Sequence, residues 1–86
     1  MAEYAITFAR SARRELETLD AVIVRRVISR IEGLTQNPRP LGSRKLHGEQ
    51  NLWRIRIGDY RVVYNVDDRQ RIVDIVRIRH RRDVYR

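Results

Sequence analysis

The stretch from Leu52 to Val66 constrains the fold of this chain more than any other. Its residues alternate with the two-residue period of a β-strand, broken once at Gly58-Asp59, where a tight turn reverses the chain. On the first arm Trp53, Ile55 and Ile57 fall on one side and Arg54 and Arg56 on the other. On the second arm Tyr60, Val62, Tyr64 and Val66 form one set, and Arg61, Val63 and Asn65 the other. The resulting hairpin has an aromatic and aliphatic layer on one face and Arg54, Arg56 and Arg61 on the opposite face. Such a wall of guanidinium groups suits phosphate, because arginine is always charged and presents a planar fork of donors.

The remaining segments supply what this hairpin packs against. Tyr4 to Phe8 alternates and fits a short first strand. Ala12, Leu16 and Leu19 then recur at helical spacing, with Arg10, Arg13, Arg14, Glu15 and Glu17 on the outer face. Asp20 stands at the N-cap position of a second helix, in which Ile23, Val27, Ile31 and Leu34 repeat. Asn37 to Gly42 contains both prolines and ends the helical hairpin. Lys45 to Gly48 leads into the sheet, and Asp67 to Gln70 forms a turn before a last strand from Ile72 to Arg79. Simple alternation there sends Ile72, Val76 and Ile78 inward with Asp74, and leaves Arg77 and Arg79 on the free face. The expected fold is α+β: an antiparallel sheet of about four strands, in the order βααβββ, with the N-terminal helical hairpin packed on one face.

With 86 residues the chain has room for one core, so residues 1–86 are expected to form a single domain. It contains no cysteine, which excludes disulfides and thiolate metal sites, and its two histidines are too few for an ordinary metal site. No cofactor is expected. The N-terminus lacks a basic segment followed by an apolar run, and no apolar stretch approaches the roughly 18 residues that a membrane span needs. The expectation is a cytoplasmic protein with no membrane partner. The formal charge of +8 comes from 19 basic and 11 acidic residues, and Lys45 is the only lysine. A GC-rich genome would also favour arginine over lysine, so the placement of the charge says more than its amount. From Arg77 to Arg86 there are five arginines against one acid, Asp83, the pattern of a polyanion-binding face or an interaction tail.

Several of these segments, taken in order, resemble the RelE/ParE superfamily of type II toxin-antitoxin toxins. The matching residues are Ala12 to Leu16 on the first helix, the Lys45-Leu46-His47-Gly48 lead-in, the hairpin from Trp53 to Tyr64, and the ending from His80 to Tyr85. The resemblance spans nearly the whole chain, and the run from Gly58 to Tyr64 is its specific part. It implies a microbial-ribonuclease-like sheet carrying two N-terminal helices. It also implies a toxin of the RelE branch, a metal-independent endoribonuclease that cuts mRNA in the A site of the 70S ribosome. A cognate RelB-like antitoxin, expected to be acidic, would hold it inactive, and the complex would bind operator DNA through the antitoxin. The other branch, similar to ParE, inhibits DNA gyrase and has no nuclease site.

In RelE-like toxins, basic residues matching Arg54, Arg56, Arg61 and Arg81 form the active site, and a tyrosine matching Tyr85 orients or stacks on the substrate. Lysines stand at the positions of Arg54 and Arg56 in the best-known members, where one is proposed as general base. Arginine, with a pKa above about 12, stabilises charge but does not give up its proton. That leaves His80 and Tyr85 as proton-transfer candidates, with His80 preferred because histidine titrates near neutral pH. Lys45, Arg77, Arg79 and Arg82 are the candidates for RNA or ribosome contact, and an acidic antitoxin segment is an alternative partner for Arg77 and Arg79. His47 reads as a surface turn residue and Trp53 as a core anchor.

Overall fold

The structure is a computed structural model that describes residues 3–48 and 51–84. Its elements in chain order are β1 (Ala5–Phe8), α1 (Arg10–Glu17), α2 (Ala21–Gly33), β2 (Arg44–Lys45), β3 (Leu52–Ile57), β4 (Tyr60–Asp67), β5 (Ile72–His80) and the short α3 (Arg81–Val84). The five strands form one sheet in the order β1-β5-β4-β3-β2. The α+β architecture, the hairpin and the helical pair match the sequence expectation. The sheet has one strand more than expected and is mixed, because β1 runs parallel to β5 while the other pairs are antiparallel. The added strand, β2, is two residues long and too short to show a period in sequence.

The fold is organised by the alternation of β4. Val62, Tyr64 and Val66 are fully buried, while Arg61, Val63 and Asn65 between them are only partly so. They join Ile55, Ile57, Val73, Ile75 and Ile78 from neighbouring strands, and Ala12, Val27, Ile31 and Leu34 from the helices and the α2 C-terminus. Full burial of each large aliphatic side chain stabilises by about 1.5–3 kcal/mol, and none of the buried residues described is charged. α1 lies against β5 and α2 against β3, so the helices cover one face of the sheet. Asp20 does occupy the N-cap position of α2, yet its side chain makes no capping hydrogen bond.

β5 departs from simple alternation. Val63 pairs with Arg77 and the next residue, Tyr64, pairs with Ile75, so Val76 is looped out as a bulge. A bulge adds one residue to one strand and shifts the phase of the side chains beyond it. Val73 and Ile75 therefore face the core before the bulge and Ile78 after it. The expected inward set of Ile72, Val76 and Asp74 is corrected accordingly. Asp74 lies on the other face, where its carboxylate accepts a 2.6 Å hydrogen bond from Thr7 Oγ1 of β1. The carbonyl of the bulged Val76 accepts the Ser11 hydroxyl of α1 at 2.9 Å.

Two polar clamps hold the α2–β2 connection onto the sheet. The buried Tyr64 hydroxyl donates to the Pro38 carbonyl at 2.7 Å, and burial pushes this phenol up to about 12. On the outside, Asp68 accepts two hydrogen bonds from Arg39, at 3.1 and 2.8 Å, and one from the Tyr4 hydroxyl at 2.6 Å. The Arg39 guanidinium also sits 5.1 Å from the centre of the Trp53 ring, so Trp53 is a half-buried lid on the core.

The hydrogen bonds from Arg39, then from Tyr4, hold the Asp68 carboxyl down from an ordinary 3.8 to about 2. A depressed carboxyl stabilises the folded state above its ordinary pKa, and that contribution is lost as pH falls towards 2. Because the clamp is largely solvent-exposed, Asp68→Asn is expected to cost about 1 kcal/mol or less at pH 7. Urea denaturation of both proteins should show that difference shrinking as pH is lowered through this window.

Candidate active site

Strand register assembles the cationic face. Residues directly opposite in antiparallel pairs share a face, and Arg56 opposes Arg61, which in turn opposes Arg79. A second row runs from Arg44 through Arg54 and Val63 to Arg77. Six arginines on four strands thus occupy the face turned away from the helices. Like charges placed directly opposite one another destabilise a sheet, so stability alone does not account for this arrangement.

At the end of the hairpin the face deepens into a cleft lined by Arg56, Gly58, Asp59, Tyr60, Arg61 and Arg81. The two-residue turn forms it. Gly58 has a positive φ of 60°, and Ile57 pairs with Tyr60 across the turn. Arg81 joins because its backbone N–H donates to the Asp59 carbonyl at 2.7 Å, which pins the start of α3 beside the turn. A second cleft, lined by Arg44, Lys45, Leu46, His47, Arg54 and Arg61, lies on the β2 side. The Leu46 N–H donates to the Leu52 carbonyl at 2.9 Å and holds this lead-in against β3. Arg61 belongs to both clefts, so they flank one guanidinium.

The structure thus gathers Arg56, Arg61 and Arg81 in one cleft and Lys45, Arg54 and Arg61 in the other. Among the described residues, no salt bridge engages Arg56, Arg61 or Arg81. Arg77 and Arg79 are used differently. Glu15 of α1 reaches both, at 3.4 Å and 3.1 Å, and its other oxygen accepts the Ile78 N–H at 2.8 Å. That carboxylate fills the edge of β5 beyond the end of β1 and fixes the two arginines in place. His80 does not join the arginines. It opposes Tyr60 on the helix side, with the two rings edge-to-face at 5.1 Å, and its Nδ1 accepts the Arg82 N–H at 3.2 Å. Both His80 and Arg82 line a separate cleft with Glu15, Thr18, Leu19, Tyr60 and Ile78. Tyr85 lies outside the described residues.

Sequence reasoning missed His47 and Asp59 as lining residues and Glu15 as a counter-ion. Asp59 was recoverable from its place in the turn. Glu15 depends on contact between segments far apart in the chain, and His47 on the short β2 strand that holds its segment beside β3. Among the described residues no group of three or more histidine, cysteine or acidic side chains is arranged to hold a metal ion, and no helix is long and apolar enough to cross a membrane.

A family model described as the ParE toxin of the type II toxin-antitoxin system parDE matches residues 6–85. The chain belongs to the RelE/ParE superfamily of type II toxins. Among its relatives, toxin RelG of Mycobacterium tuberculosis is 33% identical over 84 residues, spanning 96% of this chain and 97% of the relative. Toxin RelE of the same organism is 34% identical over 84 residues, spanning 96% and 87%. In three dimensions the chain is similar to the toxin-antitoxin complex RelBE2 of M. tuberculosis, with a TM-score of 0.80, 30% identity and coverage of 91% of this chain and 98% of that one. It is also similar to the archaeal RelE-RelB complex of Pyrococcus horikoshii, with a TM-score of 0.82, 27% identity and coverage of 92% and 96%.

In this superfamily member the two clefts offer guanidinium forks suited to successive phosphates of a nucleic-acid strand. Each phosphate contact with single-stranded RNA contributes about 0.7 to the slope of log affinity against log salt. Arg61→Ala is expected to weaken binding of a short RNA and to lower that slope by about this amount or more. Arg13→Ala, on the exposed side of α1, should leave both unchanged, as a fluorescence titration at several salt concentrations would show.

Proposed function

We propose that this toxin is a ribosome-dependent endoribonuclease of the RelE type that cleaves mRNA in the A site and so inhibits translation. The observation that carries this reading is the convergence of Arg56, Arg61 and Arg81, from three elements, on one cleft at the hairpin turn. Attack of a 2′-hydroxyl on the adjacent phosphate builds negative charge on the phosphorane oxygens. Cations already oriented towards that charge lower the barrier without reorganising, the largest effect in many enzymes. Guanidinium groups supply that charge directly, so the proposed reaction needs no metal ion. Arg54 and Lys45, which line the β2-side cleft, extend the basic surface, and Arg79 borders it beside Arg61, whereas Arg82 lines the cleft on the helix side. Tyr85, by its match to the family tyrosine, is assigned to substrate stacking.

We assign the chain a cognate antitoxin, because the similar RelE structures are of complexes with RelB. An acidic antitoxin segment would be complementary to the +8 chain and would compete with RNA for the same cations. Operator binding by the complex would run through the antitoxin, and a ribosomal substrate places the toxin in the cytoplasm.

The matching family model is that of ParE, which favours gyrase inhibition without nuclease chemistry as a second reading. Expression of the wild type, Arg61→Ala and Arg81→Ala, followed by primer extension on cellular mRNA, separates the two. Cuts at A-site codons, reduced about 10²–10³-fold by either substitution, are expected on the scale of losing one charge-stabilising donor. Intact mRNA together with blocked supercoiling by purified gyrase would replace this reading with the second.

A further inference from the structure

The clefts on either side of Arg61 differ chemically, and the difference matters for a displacement at phosphorus. In an in-line reaction the attacking and leaving oxygens lie on opposite sides of the phosphorus. A phosphate at Arg61, which lines both clefts, can present one of these oxygens to each. The hairpin-turn cleft offers Arg56 and Arg81, which stabilise a leaving oxygen but do not accept a proton. The β2-side cleft contains His47, exposed beside Arg44, Lys45, Arg54 and Arg61. The protein has two histidines, and the other, His80, faces the helix side against Tyr60. His47 is thus the imidazole on the arginine face.

We propose that His47 is the proton acceptor of the RNA cleavage reaction. This inference rests on the ribonuclease reading above. The 2′-hydroxyl proton passes to the unprotonated ring nitrogen of His47 as the O2′–P bond forms. The P–O5′ bond then breaks, and the 5′-oxygen departs towards Arg81 and takes a proton from water. The products are a 2′,3′-cyclic phosphate and a 5′-hydroxyl; His47 later returns its proton to solvent, and no oxidation or reduction occurs. Gly48 follows with a positive φ of 76°, a conformation that turns the chain directly after the histidine.

The test is single-turnover cleavage of ribosome-bound mRNA by the full chain between pH 5.5 and 9. The wild-type rate should rise through the range in which an imidazole titrates. His47→Gln should be slower by about 10²-fold or more and should lose that pH dependence. Its affinity for ribosomes carrying a 2′-deoxy message, which cannot react, should stay near wild type. Free imidazole should restore part of the rate to His47→Ala, which a purely structural role would not allow. Wild-type kinetics in His47→Gln, or transfer of the pH-dependent loss to Lys45→Met or His80→Gln, would overturn the assignment and leave the ribonuclease reading standing. A wild type that does not cleave would overturn both.

Discussion

The register between β4 and its two neighbours is the constraint on which the rest of this toxin depends. One face of β4 is sealed under the helices by Val62, Tyr64 and Val66. A one-residue slip would turn that set to solvent and Arg61 into the core, at a cost of several kcal/mol in burial alone. Holding β4 in register also holds Arg56 and Arg79 on either side of Arg61. Core packing on one face therefore sets the geometry of the charged face.

The same register imposes an electrostatic penalty, and the fold relieves only part of it. Glu15 ties down Arg77 and Arg79, where β5 has outrun its parallel neighbour and needs an edge partner. Among the described residues, Asp59 is the only acidic one lining the hairpin-turn cleft with Arg56, Arg61 and Arg81, and no salt bridge among them joins it to these arginines. Charge repulsion left uncompensated at one place and answered at another is the pattern expected where an anion is to be bound. The six-arginine face thus has a braced edge at β5 beside the Arg56–Arg61 pair, which no salt bridge among the described residues engages.

The clamp between Arg39, Asp68 and Tyr4 and the buried bond from Tyr64 to Pro38 have a related role. Both anchor the long connection between α2 and β2. That connection leads directly to Lys45 and His47, so these clamps position one wall of the cleft from outside it. Fixing the backbone in this way lowers the entropy lost when a ligand is bound there.

Local patterning was enough for the hairpin, the two helices, the buried set on β4 and the pairing of Arg56 with Arg61. A two-residue turn leaves a single register for its arms, and alternation then assigns each side chain to a face. The family resemblance added Arg81, which no local pattern brings to the turn. The bulge at Val76, the parallel β1–β5 pair, and the capture of Arg77 and Arg79 by Glu15 were not visible in this way. Each arises from contact between segments some 60 residues apart or from one residue of phase, to which a period-two pattern is blind. The chain's own alphabet thus specifies a cationic hairpin over an apolar layer, because that needs only neighbouring residues. Which of those cations a carboxylate ties down follows from how α1 packs on β5, because only packing brings Glu15 to Arg77 and Arg79.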